Sequence, residues 1–406
     1  MKNSEKNMML EFDDAFEVVM NSVSVKPLGT ERVDIEDALN RVLAEDIASD
    51  MDIPPFNKSV MDGFACRRAD LENELTIIET IPAGLQPKKT IGQNQCFRIM
   101  TGAVVPEGAD CVIMVEYTEP TSDNKIRFTG EQTDDNIRLK GEDIKKGDIA
   151  LQTGHVISAR HIAVLASLGC TKPLVAVKPR VGVIATGDEL VEPGQKPSAC
   201  QIRNSNSFQL AAQVTSAGLT ATNYGIAADT EEAIDAIFKK ASAENDVVIL
   251  SGGVSAGDWD LVRGILKKNN VRLLFDKVAV KPGKPTVFGV YDDGHQSRGF
   301  CFGLPGNPVS TFTIFELLVK PFLFRMMGHN FKPVVSYRQL EKTITRKKTE
   351  RDSWLPVIFT EKNKVTNIEY HGSAHINALC EADGLICIPA SVTEVKEGDT
   401  VSVRQI

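Results

Sequence analysis

Between residues 181 and 321 the chain alternates short, almost wholly apolar runs with helix-length stretches, and this alternation constrains the fold more than any other feature. RVGVIAT, TATNYGI and DVVILS read as buried strands, and residues 207–216, 231–243 and 260–268 carry helical periodicity. The order βαβαβα implies a mostly parallel sheet with helices on both faces. LLFDKVAV, PTVFGVY and GFCFGLP add further strands, and NPVSTFTIFELLVKPFL supplies a closing helix.

The flanks read differently. Residues 11–23 place Phe12, Phe16, Val19 and Met20 on one helical face, and residues 35–43 suggest a second short helix. LTIIETI, CFRIM, CVIMVEY and KIRFTG follow as short strands, and SARHIAVLASLG as a helix with Gly169 as its stop. The expected fold class is α/β plus all-β modules in a multi-domain chain. A discontinuous helical/linker domain (8–50 and 141–178) carries an inserted small β domain (51–140). The central α/β domain (179–328) follows, and a C-terminal β domain (329–406) closes the chain. A length of 406 residues suits roughly two to four domains.

A net charge of −8 disfavours nucleic acid and anionic membranes as partners, because both would repel the chain on average. The N-terminus lacks an apolar targeting core, and the most apolar later stretch is interrupted by Glu316, Lys320 and Pro321. The eight cysteines show no C-x-x-C, which fits reduced thiols and a cytoplasmic location. His371 and His375 lack companion ligands at zinc spacing.

In a parallel α/β sheet the ligand sits beyond the carboxyl ends of the strands, so the loops after each strand carry the chemistry. Here they read GDEL, GGVSAGDWD and LPGNPVS. Gly252 and Gly253 permit close backbone approach, and N–H groups of a glycine turn donate to phosphate oxygens. None of these loops is a Walker A loop or a G-x-G-x-x-G fingerprint. In DKVAVKPGKP, Lys277 and Lys281 share a face if the segment is one strand, with Lys284 beyond, so that three ammonium groups would hold a phosphate or an oxyanion such as molybdate. The acids Asp62, Asp143, Asp188, Glu189, Asp229, Asp258 and Asp260 would repel that anion unless a divalent cation intervenes, which points to Mg²⁺ on a phosphate. Asp229 could instead cap the helix that follows. Thr101, Ser251, Ser255 and Ser310 lie beside glycines with no histidine nearby in sequence, and read as anion ligands rather than nucleophiles.

The motifs SVMDGFA, RIMTGAVVPEGADCVIMVE, GEDIKKGD, ATGDEL, SGGVSAGDWD, VKPGKP and GLPGNPVS, in this order, closely resemble the molybdopterin molybdenumtransferase (MoeA) family, whose homologues include the C-terminal part of gephyrin. The resemblance implies a molybdopterin-binding type of α/β domain, a C-terminal β-barrel-like domain, and an elongated homodimer whose active site is shared between subunits. The implied reaction takes adenylylated molybdopterin and molybdate, hydrolyses the adenylyl bond with Mg²⁺, and yields molybdenum cofactor and AMP.

By motif, Asp62, Asp143, Glu189, Asp229 and Asp260 would be catalytic, the last three also as Mg²⁺ ligands. Thr101, Gly252, Gly253, Ser255, Lys277, Lys281, Lys284, Pro305, Gly306, Asn307 and Ser310 would bind substrate, joined by Arg351 and by Ser373 or its neighbour Ala374. Phe64 stands where the family commonly has tyrosine. Implied protein partners are the molybdopterin adenylyltransferase and apo-molybdoenzymes. The competing readings are an adenylyltransferase, which needs only the α/β unit, and a gephyrin-like scaffold.

Overall fold

The computed structural model describes residues 9–23, 28–253, 261–292, 298–347, 349–361, 363–368 and 372–406. The chain forms two compact units. One comprises Met1–Arg32, Asn40–Ala44 and Leu174–Ile406, the other Val33–Leu39 and Glu45–Pro173.

The first unit is organised by a six-stranded sheet: β1 (Val181–Thr186), β2 (Ala221–Ala227), β3 (Val247–Ser251), β4 (Arg272–Phe275), β5 (Val287–Asp292) and β6 (Arg298–Leu304) in the order β2-β1-β3-β6-β5-β4. The first four of that order are mutually parallel, while β5 and β4 join antiparallel. Every residue of β1 and β3 is buried, as an unbroken apolar run in a doubly covered strand requires. Helices α2 (Glu231–Glu244) and α3 (Leu261–Lys268) bury Ile234, Phe238, Val262 and Leu266 against Ile184, Val248 and Leu250. Helix α1 (Asn206–Ser216) packs on β1 and β2 and against α4 (Pro308–Ile314). Parallel pairing registers Thr186 with Ala227, Ala185 with Ser251, and Ser251 with Leu304, so the carboxyl ends of four strands share one edge.

After α4 the chain continues through a π turn, Phe315–Val319, into helix Lys320–Met326. The five strands β7 (Val335–Leu340), β8 (Asp352–Phe359), β9 (Lys364–Asn367), β10 (Gly384–Ile388) and β11 (Thr400–Gln405) then close into a barrel. They pair in the order β8-β9-β7-β11-β10, and β10 returns to β8. Leu340, Val357, Val365, Ile386 and Val403 fill it.

Three expectations change. Lys277 and Lys281 do not lie on one strand: β4 ends at Phe275, and Val280–Lys281 forms a separate two-residue strand paired with β8, Lys281 opposite Ser353. The helix expected over 35–43 is only the 3-10 turn Ile35–Asp37, because Asn40 adopts a left-handed backbone (φ 62°) that no helix accommodates. The N-terminal helix Phe12–Asn21 packs on Lys320–Met326, with the Phe12 ring 6.0 Å from that of Trp354, and so belongs to the α/β unit.

The second unit contains a six-stranded sheet in the spatial order Cys111–Met114, Gly63–Cys66, Gln95–Ile99, Glu74–Ile81, Lys125–Phe128, Thr118–Ser122. Helix Ala159–Ser167 ends at Gly169, whose φ of 69° needs a residue without Cβ. None of the eight cysteines forms a disulfide.

Candidate active site

The carboxyl edge of the sheet is built around glycines. At Gly252 φ is 97°, and a Cβ there would lie 2.5 Å from Thr186 O. At Gly253 φ is 63°, and a Cβ would meet Val262 Cγ2 at 2.7 Å and Thr186 Oγ1 at 2.9 Å. The turn after β3 can therefore press against the end of β1 only as glycine. The Gly252 N–H donates to Leu304 O at 3.2 Å, tying this turn to the end of β6. On the turn after β1, the Glu189 carboxylate folds back over Gly187.

A cleft of about 290 Å³ opens along this edge, lined by Thr186, Glu189, Arg203, Asn206, Ser251, Gly252, Gly306, Asn307 and Ala374 among others. Asn206, the first residue of α1, donates from Nδ2 to Ser251 Oγ and to Gly306 O, both at 2.8 Å. Thr186 Oγ1 and Asn206 Oδ1 are buried and have no hydrogen-bond partner among the described residues.

A second cleft, of about 540 Å³, is lined by Lys281, Lys284, Pro305, Asn307, Ser310, Arg351 and Ser373, with Pro282, Gly283, Pro285 and Gly372. Among the described residues its lining holds three cations and no carboxylate. Lys281 and Lys284 are exposed and form no ion pair among the described residues. The Arg351 side chain is anchored by Nη1 donating to Val280 O at 3.2 Å. Ser373 is held at the start of α4, where its carbonyl accepts from the Val309 N–H at 3.1 Å. Asn307 lines both clefts, so they adjoin across the turn between β6 and α4. Arg351, rather than Lys277, is the third cation beside Lys281 and Lys284. Lys277 instead accepts, through its carbonyl, from the Leu10 N–H at 3.2 Å.

Asp229 does not cap α2. Thr230 does, accepting from the Ala233 N–H at 3.2 Å. The Asp229 carboxylate braces the β1 turn instead: the Asp188 N–H donates to it at 3.4 Å, and Asp188 Oδ1 accepts from the Asp229 N–H at 3.0 Å. Glu189 thus lines the first cleft, and Asp229 is bonded to the residue next to it. Ser255, Asp258 and Asp260 lie outside the described residues. Among the described residues no three His, Cys, Asp or Glu side chains form a metal-binding group.

In the second unit, Asp62 Oδ1 accepts both the backbone N–H (2.6 Å) and the hydroxyl (2.7 Å) of Thr101. These two bonds hold the Asp62 carboxyl below the usual carboxylate range. Gly63 follows in a central strand, where a Cβ would lie 1.9 Å from Ile113 O, which accounts for glycine in the MDG motif. Asp143 is on the turn after Gly141, its N–H donating to Ile53 O at 3.0 Å.

Sequence reasoning brought forward Glu189, Gly252, Gly306 and Asn307 for the first cleft and most of the second, but passed over Thr186, Arg203 and Asn206. Asn206 reads in sequence as one polar residue of RNSNS at a helix start. Only the tertiary contact with Ser251 and Gly306, 45 and 100 positions away, distinguishes it.

Comparison with known proteins agrees along the whole chain. Residues 10–169 match a model described as MoeA N-terminal region (domain I and II), residues 182–325 one described as probable molybdopterin binding domain, and residues 341–406 one described as MoeA C-terminal region (domain IV). A protein of Staphylococcus epidermidis named molybdopterin molybdenumtransferase is 37% identical, covering 98% of this chain and 96% of its own. One of the same name from Haemophilus influenzae is 33% identical, covering 98% of both. The crystal structure of the molybdopterin biosynthesis moeA protein from Pyrococcus horikoshii OT3 has a TM-score of 0.84 at 29% identity, covering 98% of this chain and all of that one.

Proposed function

The chain belongs to the molybdopterin molybdenumtransferase family, and on that premise we propose that it inserts molybdenum from molybdate into adenylylated molybdopterin, giving molybdenum cofactor and AMP. The observation that carries the reading is the pair of adjoining clefts, one lined by three cations and the other by glycine backbone and hydroxyls, that meet at Asn307. The second cleft, with Lys281, Lys284 and Arg351 and no carboxylate among the described residues, suits a small oxyanion, and the Ser310 and Ser373 hydroxyls add donors. The first cleft, with glycine backbone and paired hydroxyls, suits the phosphorylated pterin. A ligand spanning both would bring its dithiolene beside the molybdate.

Mg²⁺ fits the donor set as a substrate-borne ion. It commonly takes one or two carboxylates plus phosphate oxygens rather than an all-protein cage, and Glu189 and Asp229 would supply those carboxylates from the β1 and β2 turns. When bound, it neutralises charge on the diphosphate during hydrolysis. The chain's own residues do the rest: Gly252 lets the backbone reach the phosphate, and Lys281 and Arg351 hold the oxyanion.

The working form in this reading is a homodimer in which Asp62, Thr101 and Asp143 of one copy complete the clefts of the other. The enzyme would act in the cytoplasm, between a molybdopterin adenylyltransferase and apo-molybdoenzymes. Among the described residues no helix is long and apolar enough to cross a membrane. An adenylyltransferase needs only the α/β domain and a pure scaffold needs neither cleft, whereas this chain matches the transferases over 98% of its length and keeps both clefts.

The test combines purified protein with adenylylated molybdopterin, Mg²⁺ and molybdate. AMP release together with reconstitution of a cofactor-free molybdoenzyme is expected, and the absence of both rejects the assignment.

A further inference from the structure

The Asn206 amide has only one orientation compatible with its neighbours. Gly306 O can only accept, so the group 2.8 Å from it must be the NH₂, and the same NH₂ reaches Ser251 Oγ at 2.8 Å. The NH₂ can only donate, so the hydroxyl of Ser251, which is 2% exposed, serves as acceptor toward Asn206. Its own proton is left to donate elsewhere, on the side where Ser251 lines the first cleft. Among the described residues Asn206 Oδ1, buried in the same wall, has no donor, and the buried Thr186 hydroxyl has no partner. A buried acceptor and a buried hydroxyl without partners are costly in a free protein, and such groups are satisfied when a ligand brings the complementary atoms.

We propose that Asn206 is a positioning residue of the molybdenum-insertion reaction: it bridges the turns after β3 and β6 and aims the Ser251 O–H at a phosphate oxygen of the substrate in the first cleft. This rests on the function proposed above and adds to it which hydroxyl donates and what orients it. The substitution that separates this role from packing is Asn206→Asp. It keeps the shape, but the carboxylate oxygen in place of Nδ2 then faces Gly306 O without a proton between them, and the same oxygen accepts the Ser251 proton meant for the ligand. Arg203 is the cation in this wall. Its Nε donates to Gln195 O at 3.1 Å, and the residue lines the cleft, its guanidinium a donor set suited to the same phosphate.

The experiment measures the affinity of adenylylated molybdopterin for the full-length protein and for Asn206→Asp, Asn206→Ala, Ser251→Ala and the Asn206→Ala/Ser251→Ala double variant, each checked for an unchanged melting profile. Losing one hydrogen bond to a charged group is expected to weaken binding by about tenfold or more. Ser251→Ala and Asn206→Asp should both show it. The double variant should be no more than about twofold worse than Ser251→Ala, since two residues acting through one bond are not additive. Additive losses, or full affinity in Asn206→Asp, overturn the inference while leaving the function standing. A wild-type protein that does not bind the probe overturns both.

Discussion

Replacing Lys281 by methionine removes one positive charge from the second cleft and keeps the length of the side chain. Lys281 is exposed, so the water-like limit applies. A dianion about 4 Å from one ammonium group then gains roughly 2 kcal/mol, reduced by physiological salt, whose screening length is about 8 Å. What remains, about 1–2 kcal/mol, corresponds to roughly a five- to thirtyfold rise in the KM for molybdate. Lys284 and Arg351 stay in place, so turnover at saturating molybdate should be nearly unchanged, the signature of lost ground-state binding. Because Lys281 has no carboxylate partner among the described residues, its removal leaves no buried charge stranded and the melting temperature should hold. The assay is reconstitution of a cofactor-free molybdoenzyme at graded molybdate, repeated at low and high salt, where the wild-type KM should rise more steeply with salt than that of the variant. An unchanged KM, or a fall in kcat at constant KM, would refute an electrostatic role for this residue.

Gly252→Ala should lower the melting temperature more than Gly147→Ala. Both place alanine at positive φ (97° and 92°), which costs about 1–2 kcal/mol, but only Gly252 adds a contact 2.5 Å from Thr186 O. Equal losses would mean that space at the β3 turn is not limiting. The Asp62 carboxylate is ionised above its depressed pKa and protonated only as the pH falls through it, so activity requiring the anion should persist to low pH. Thr101→Val removes the hydroxyl donor and should move the acid limb of kcat/KM upward, toward the ordinary carboxylate range. A limb that does not move would separate Asp62 ionisation from the reaction. If one copy's Asp62 completes the other's cleft, inactive Asp62→Asn and Glu189→Gln chains assembled together should regain about a quarter of wild-type activity by random pairing in a two-fold dimer. No recovery would place both residues in the same subunit's site.

The α/β domain was legible because its information is local. The unbroken apolar runs that become β1 and β3 need both faces covered, and no later contact changes that requirement. The positive φ at Gly252, Gly253 and Gly169 likewise belongs to turns whose residue type declares them. The lysine segment failed for the converse reason. Period-two spacing assumes a continuous strand, and whether 276–281 continues β4 is decided by its partner. Residues 280–281 pair with β8, more than 70 positions downstream, and that pairing breaks the run and exchanges Lys277 for Arg351 as the third cation of the cleft.

The residue types of this chain thus determined its sheet, its glycine turns and the family it resembles, since each is written in neighbours a few positions apart. Tertiary structure alone decided which side chains share a cleft. Asn206, Ser251 and Gly306 form one hydrogen-bonded unit, as do Asp62 and Thr101, because hydrogen bonds and charge act over a few ångströms of space regardless of how much chain lies between their ends.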